Sequence, residues 1–140
     1  MKIRIISAAL LILATFQSLA FEYHGIKSGM TRNEVAQSMA PLGGNKSKHS
    51  DTWSDIKNIP FPPQDIELIY DHNDRLYRAV LRYWVANIPD AQASALRVVL
   101  PEKYGAVIAG NSQEVVAVFT DDLLLEKSIE HYKIEYMTHL

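Results

Sequence analysis

Hydrophobic and polar positions alternate along the chain in ways that predict its elements. The clearest stretch is Met30-Thr31-Arg32-Asn33-Glu34-Val35. Thr31 suits an N-cap, and Glu34 stands three residues on, so their side chains can satisfy each other's free backbone N–H groups. Met30 and Val35 occupy the positions of a hydrophobic staple. The spacing predicts a helix over 31–40 with Val35 and Met39 on its buried stripe, ended by Pro41 and Gly43-Gly44. Residues 44–51 are polar and read as a loop, and 53–59 as a short strand. Pro60-Phe61-Pro62-Pro63 cannot join a central strand because proline lacks the N–H.

Residues 66–71 and 75–85 read as two strands joined at Asn73-Asp74, residues that tolerate the positive φ of a tight turn. In the second strand Leu76, Arg78, Val80, Arg82 and Trp84 share one face, and Tyr77, Ala79, Leu81, Tyr83 and Val85 the other. The second set is more apolar and is expected in the core. A second helix is predicted over 90–100, with Asp90 as N-cap and Ala93, Leu96 and Leu100 at helical spacing. Pro101 should kink or end it, and Gly105 suits the residue after a helix. Residues 115–119 read as a strand. Residues 123–128 and 132–137 read as a terminal hairpin, because Tyr132, Ile134 and Tyr136 alternate with Lys133 and Glu135. The predicted order is helix, strands, helix, strands. It describes an α+β class, an antiparallel sheet with two helices packed on one face.

The first twenty residues differ from the rest. Lys2 and Arg4 precede an uncharged run through Ala20 that includes Leu10-Leu11-Ile12-Leu13, and Ser18-Leu19-Ala20 offers small residues at a cleavage point. This is the layout of a secretory signal peptide. The stretch is short for a membrane span, which needs about 20 apolar residues. Cleavage is expected between Ala20 and Phe21, leaving one domain over 21–140 with no membrane span, in a periplasmic or secreted location.

Composition narrows the function. Of 140 residues, 14 are basic and 16 acidic, and losing Lys2 and Arg4 takes the net charge from −2 to −4. That excludes a strongly basic nucleic-acid binder. The chain has no cysteine, which excludes disulfide scaffolds, thiolate metal sites and thiol catalysis. An apolar content of 48% excludes disorder.

The candidate chemical motifs fail on spacing. Gly43-Gly44-Asn45-Lys46-Ser47 ends like a phosphate loop but lacks the two required glycines. Asn45-Lys46-Ser47 fits a glycosylation triplet. Asp71-His72-Asn73-Asp74 is oxygen-rich, yet Leu76 and Arg82 stand where an EF-hand needs Gly and Glu. No Gly-x-Ser-x-Gly elbow occurs, and His24, His49, His72, His131 and His139 form no i,i+4 pair. No catalytic residue, cofactor or metal is assigned. The candidate partner-binding residues are Phe61, in a proline-bounded loop, and Arg78, Arg82 and Trp84 on one strand face, since aromatic and Arg side chains dominate binding hot spots.

Gly25-Ile26-Lys27-Ser28-Gly29-Met30-Thr31-Arg32-Asn33-Glu34-Val35 resembles the opening motif of the SmpA/OmlA (BamE-like) small envelope proteins, where a Gly-Met-Thr turn and a Glu-Val pair open the first helix. Ile69-Tyr70-Asp71 and Asn73-Asp74-Arg75-Leu76 look like that family's strand, polar turn and strand. Residues 96–105, ending Lys103-Tyr104-Gly105, are similar to a helix of small secreted proteins with β-lactamase-inhibitor-like folds. The resemblance covers about 60 residues, mainly in the first half of the chain, and implies helices on one face of an antiparallel sheet, an envelope location, and binding rather than catalysis. Two departures stand out. The lipid-anchoring Cys is missing, so no lipid anchor is expected, and a second helix and further strands are present. The leading expectation is a non-enzymatic protein-binding module of the cell envelope. The alternatives are an inhibitor or immunity-type protein blocking a secreted hydrolase, and an enzyme assembled from scattered His, Asp and Tyr.

Overall fold

The computed structural model describes residues 20–140. The expected signal segment therefore lies outside the described residues, apart from Ala20. Two sheets form. Glu22–Tyr23 (β1) and Ile26–Lys27 (β2) make a small antiparallel hairpin. Its turn is His24-Gly25, both at positive φ, the conformation a two-residue hairpin demands. The main sheet contains Asn45–Lys46 (β3), Thr52–Ser54 (β4), Asp65–Tyr70 (β5), Leu76–Trp84 (β6), Val107–Gly110 (β7) and Glu114–Thr120 (β8). Its order is β3-β4-β5-β6-β8-β7, and every pairing is antiparallel. The helices are Arg32–Met39 (α1), Asp90–Tyr104 (α2) and Asp122–Thr138 (α3).

The expected fold class needs correction. The chain does not run helix, strands, helix, strands with two helices. Over the described residues it runs strands, helix, strands, helix, strands, helix, with three. The main error lies at the C-terminus, where α3 replaces the expected hairpin over 123–137. Asp121 caps α3 by accepting from the Leu124 N–H at 3.1 Å. The supposed turn, Ile129-Glu130-His131, holds no Gly, Pro, Asn or Asp to reverse the chain. The alternation of Tyr132, Ile134 and Tyr136 is therefore no strand pattern, and all three are exposed on the helix. Strand β7 and the short β3 were also not expected. The predicted strand over 53–59 shrinks to Thr52–Ser54.

Helix α1 forms with its capping box: the Glu34 N–H donates to the Thr31 hydroxyl, and the Thr31 N–H to the Glu34 carboxylate. Arg32 beside it pairs with Asp51 at 3.1 Å and Asp74 at 2.6 Å, and its guanidinium lies over the Tyr70 ring. Helix α2 takes Pro89, not Asp90, as its N-cap. Asp90 sits in the first turn, where the helix dipole favours a negative charge. Pro101 does not end α2, which continues to Tyr104 and stops at Gly105 in the left-handed conformation.

The core lies between one face of the main sheet and a layer built from α1, α2 and the β1–β2 hairpin. Val35 and Met39 of α1, Ala93, Leu96 and Leu100 of α2, and Tyr23 and Ile26 meet Ile66, Leu68, Ala79, Leu81, Tyr83, Val115, Ala117 and Phe119. Ala79, Leu81 and Tyr83 are buried as the alternation predicts, while Tyr77 and Val85 are half-buried. Leu76 was expected on the other face and is fully buried. Ile69 pairs with Arg78 but Tyr70 pairs with Leu76, so Tyr77 is an extra residue that shifts the strand's phase.

Two substitutions test these local causes. Gly110 has φ 98°, and a Cβ there would run into the Glu114 carbonyl. Gly110→Ala should cost about 2 kcal/mol in urea unfolding, because it strains both the turn and the backbone. Thr31→Ala should cost about 1 kcal/mol through loss of the cap.

Candidate functional site

Strand β6 sits inside the sheet, between β5 and β8, so its two faces meet different surroundings. Arg78, Val80, Arg82 and Trp84 point away from the face covered by α1 and α2. The register sets Arg82 beside Asp65 and Val116, Val80 beside Glu67 and Val118, and Trp84 beside Glu114. Three of the four candidate residues are thus brought together on one sheet face. Trp84 is 47% exposed, and Val107 at the sheet edge 69%.

Arg82 is the electrostatic centre of this face. Its Nη1 donates to Asp65 at 3.0 Å and its Nη2 to Glu67 at 2.6 Å, while Nε lies 3.9 Å from Glu114. These hydrogen bonds, that to Glu67 foremost, raise the guanidinium's pKa above its already high ordinary value. Three carboxylates from two neighbouring strands therefore converge on one cation, and the half-exposed Val80, Val116 and Val118 lie alongside. Arg78 differs, because its Nε is buried without a hydrogen-bond partner. Trp84 borders a shallow pocket of about 390 Å³ with Val85, Ala86, Ser112 and Gln113. The face offers an indole and a valine field around a charge cluster in which three carboxylates share one guanidinium. Its carboxylates are engaged with Arg82, two of them by direct hydrogen bonds.

Phe61 is not part of this face. It lines a pocket of about 200 Å³ with Tyr23, His24, Tyr83, Leu96 and Tyr104, and Tyr83 and Leu96 belong to the core side of the sheet. Phe61 adopts φ 53° between two prolines and is 51% exposed. Inside this pocket the Tyr23 and Tyr83 hydroxyls lie 3.4 Å apart, and the Tyr104 hydroxyl lies 3.4 Å from His24 Nε2. Burial pushes the Tyr23 phenol up to about 12 and raises Tyr83 further. Burial, then nearby Lys103, lowers the His24 pKa. Sequence reasoning missed this pocket because its residues come from four separate segments and form no local motif.

The remaining candidates are placed as follows. His72 and His131 stack with ring centroids 3.6 Å apart, which fastens α3 to the β5–β6 turn, and His131 also lies 3.4 Å from Glu135. His72 is exposed and His131 half-buried. Asp71 holds the same turn by accepting from the Asn73 and Arg75 N–H groups, both at 2.9 Å. Among the described residues no His, Asp and Glu group could hold a metal ion, and no helix is long and apolar enough to cross a membrane. At the expected cleavage point, the Ala20 N–H donates to the Ser28 hydroxyl at 2.8 Å, and Phe21 is buried with its ring 5.6 Å from Phe119. Comparison with protein-family models, with curated proteins and with solved structures found no match.

The two arginines should separate in stability. Arg82→Met leaves Asp65, Glu67 and Glu114 without their shared cation and should cost about 1 kcal/mol, discounted for its partial exposure. Arg78→Met removes an atom that is already unpaired and should change stability by less than about 0.5 kcal/mol. Paired urea melts read both. Alkaline pH tests the phenol pair. The ordinary tyrosine value is 10.0 and the folded Tyr23 value about 12, so the unfolded chain releases its proton first. Stability should be complete below pH 10.0 and fall as pH rises through about 12. Tyr23→Phe should flatten that decline in pH-dependent thermal melts.

Proposed function

We propose that the protein is a non-enzymatic protein-binding module of the cell envelope, periplasmic or secreted, whose contact surface is the β6 face bearing Arg82 and Trp84. The observation that carries this reading is the exposed Trp84 beside half-exposed valines and the Arg82 carboxylate cluster, on the sheet face opposite α1 and α2. An indole flanked by apolar surface gains from excluding water, and the surrounding charges set orientation. The signal layout of residues 1–20 supports the location. The resemblance of residues 25–35 to the SmpA/OmlA proteins supports both location and binding. In this reading signal cleavage precedes folding, because the backbone on both sides of the Ala20–Phe21 bond is tied to Ser28 in the folded domain.

A second reading, an inhibitor or immunity-type protein blocking a secreted hydrolase, is favoured by Phe61. A half-exposed aromatic held at positive φ between prolines is presented rigidly enough to enter a cleft.

One experiment separates the two. Wild-type protein, Trp84→Ala and Phe61→Ala are used as bait for envelope extracts. The leading reading predicts a stoichiometric partner that Trp84→Ala loses at least tenfold and Phe61→Ala retains, on the scale of a hot-spot residue at about 1.4 kcal/mol or more. Loss only with Phe61→Ala would favour the inhibitor, and equal recovery by all three would reject both surfaces.

A further inference from the structure

The last helix exposes more large apolar side chains than any other described element: Leu123, Ile129, Tyr132, Ile134, Tyr136 and Met137, followed by Leu140. Four residues of α3 make an ordered seam. Leu125, Ile129, Tyr132 and Tyr136 are spaced four, three and four apart, the rhythm of a coiled-coil stripe. At 3.6 residues per turn this seam lies about a quarter-turn from Ser128 and His131, which face the domain. Ile129, Tyr132 and Tyr136 are 58%, 56% and 69% exposed.

We propose that this seam pairs with the same seam of a second copy, the two α3 helices running antiparallel about a two-fold axis. The charges flanking the seam select this partner and this direction. Centring the pair between Ile129 and Tyr132 sets Ile129 against Tyr132 of the second copy and Leu125 against its Tyr136. Each layer then packs an aliphatic side chain on an aromatic one. The flanking positions bring Glu126 beside Lys133 of the second copy, and symmetry repeats the contact. At the ends of the seam Asp122 meets His139 of the second copy. A parallel pair would instead stack each tyrosine on its own copy and leave Glu126 without Lys133.

The test is sedimentation equilibrium of the protein expressed from residues 1–140, between about 1 and 200 μM, the range in which a single helix-pair interface dissociates. The wild type should be a dimer at the upper end. Ile129→Glu should be monomeric, while Leu123→Glu, equally exposed but off the seam, should leave the dimer intact. Glu126→Lys and Lys133→Glu should each weaken the dimer about tenfold, since each makes two contacts repulsive. The double charge swap should restore it. Far-UV circular dichroism confirms that each variant is folded. A wild type that stays monomeric throughout, including one that sediments with lipid vesicles, overturns the proposal. So does a dimer indifferent to Ile129→Glu, or one that the double swap fails to rescue.

Discussion

Strand β6 must satisfy two environments with one run of nine residues, and the rest of the fold depends on how it does so. It hydrogen-bonds to β5 on one side and β8 on the other, so all its backbone is committed to the sheet. Its side chains alternate, so one set has to meet the helices and the other has to meet whatever lies opposite. Ala79, Leu81 and Tyr83 build the floor on which α1 and α2 pack. Arg78, Val80, Arg82 and Trp84 build the other surface. A slip of one residue would bury the guanidinium of Arg82 and expose Leu81, so register and core specify each other. The extra residue at Tyr77 ends this constraint, and beyond it the strand buries Leu76 and enters the β5–β6 turn.

The charges on the second surface follow from the same constraint. An arginine in the middle of a sheet has neighbours on both adjacent strands, and here they are Asp65 and Glu67 on β5 and Glu114 on β8. The cluster keeps the face polar enough to stay wet while the valines remain near its surface. The core side has its own polar element, the buried tyrosine pair beside His24. The protein therefore carries two distinct surfaces of interest on opposite sides of one sheet, and Phe61 and Trp84 belong to different ones.

Much of the sheet was legible because its signals are local. The Asn73-Asp74 turn, the β6 alternation and the Thr31–Glu34 capping box each need only a few adjacent residues, and each defines an element. Helix α3 was misread because Tyr132, Ile134 and Tyr136 alternate over a short window, and a helix with an exposed apolar seam can imitate a strand there. The Asp121 cap and the spacing of Ile129, Tyr132 and Tyr136 were the signals that would have found it. Strand β7 was missed because Val107, Ile108, Ala109 and Gly110 become a strand only through pairing with β8. The grouping of Arg78, Arg82 and Trp84 followed from periodicity. The separation of Phe61 from them did not, because it depends on which side of the sheet the loop after β4 crosses.

The two-faced character of β6 is the claim on which the functional reading stands. Because the chain has no cysteine, single substitutions to cysteine can probe it by thiol labelling of the folded protein. Val80→Cys, Arg82→Cys and Trp84→Cys should label, and Ala79→Cys, Leu81→Cys and Tyr83→Cys should not. Adding envelope extract should protect the first set. Equal labelling of both sets, or protection confined to positions away from β6, would contradict the account.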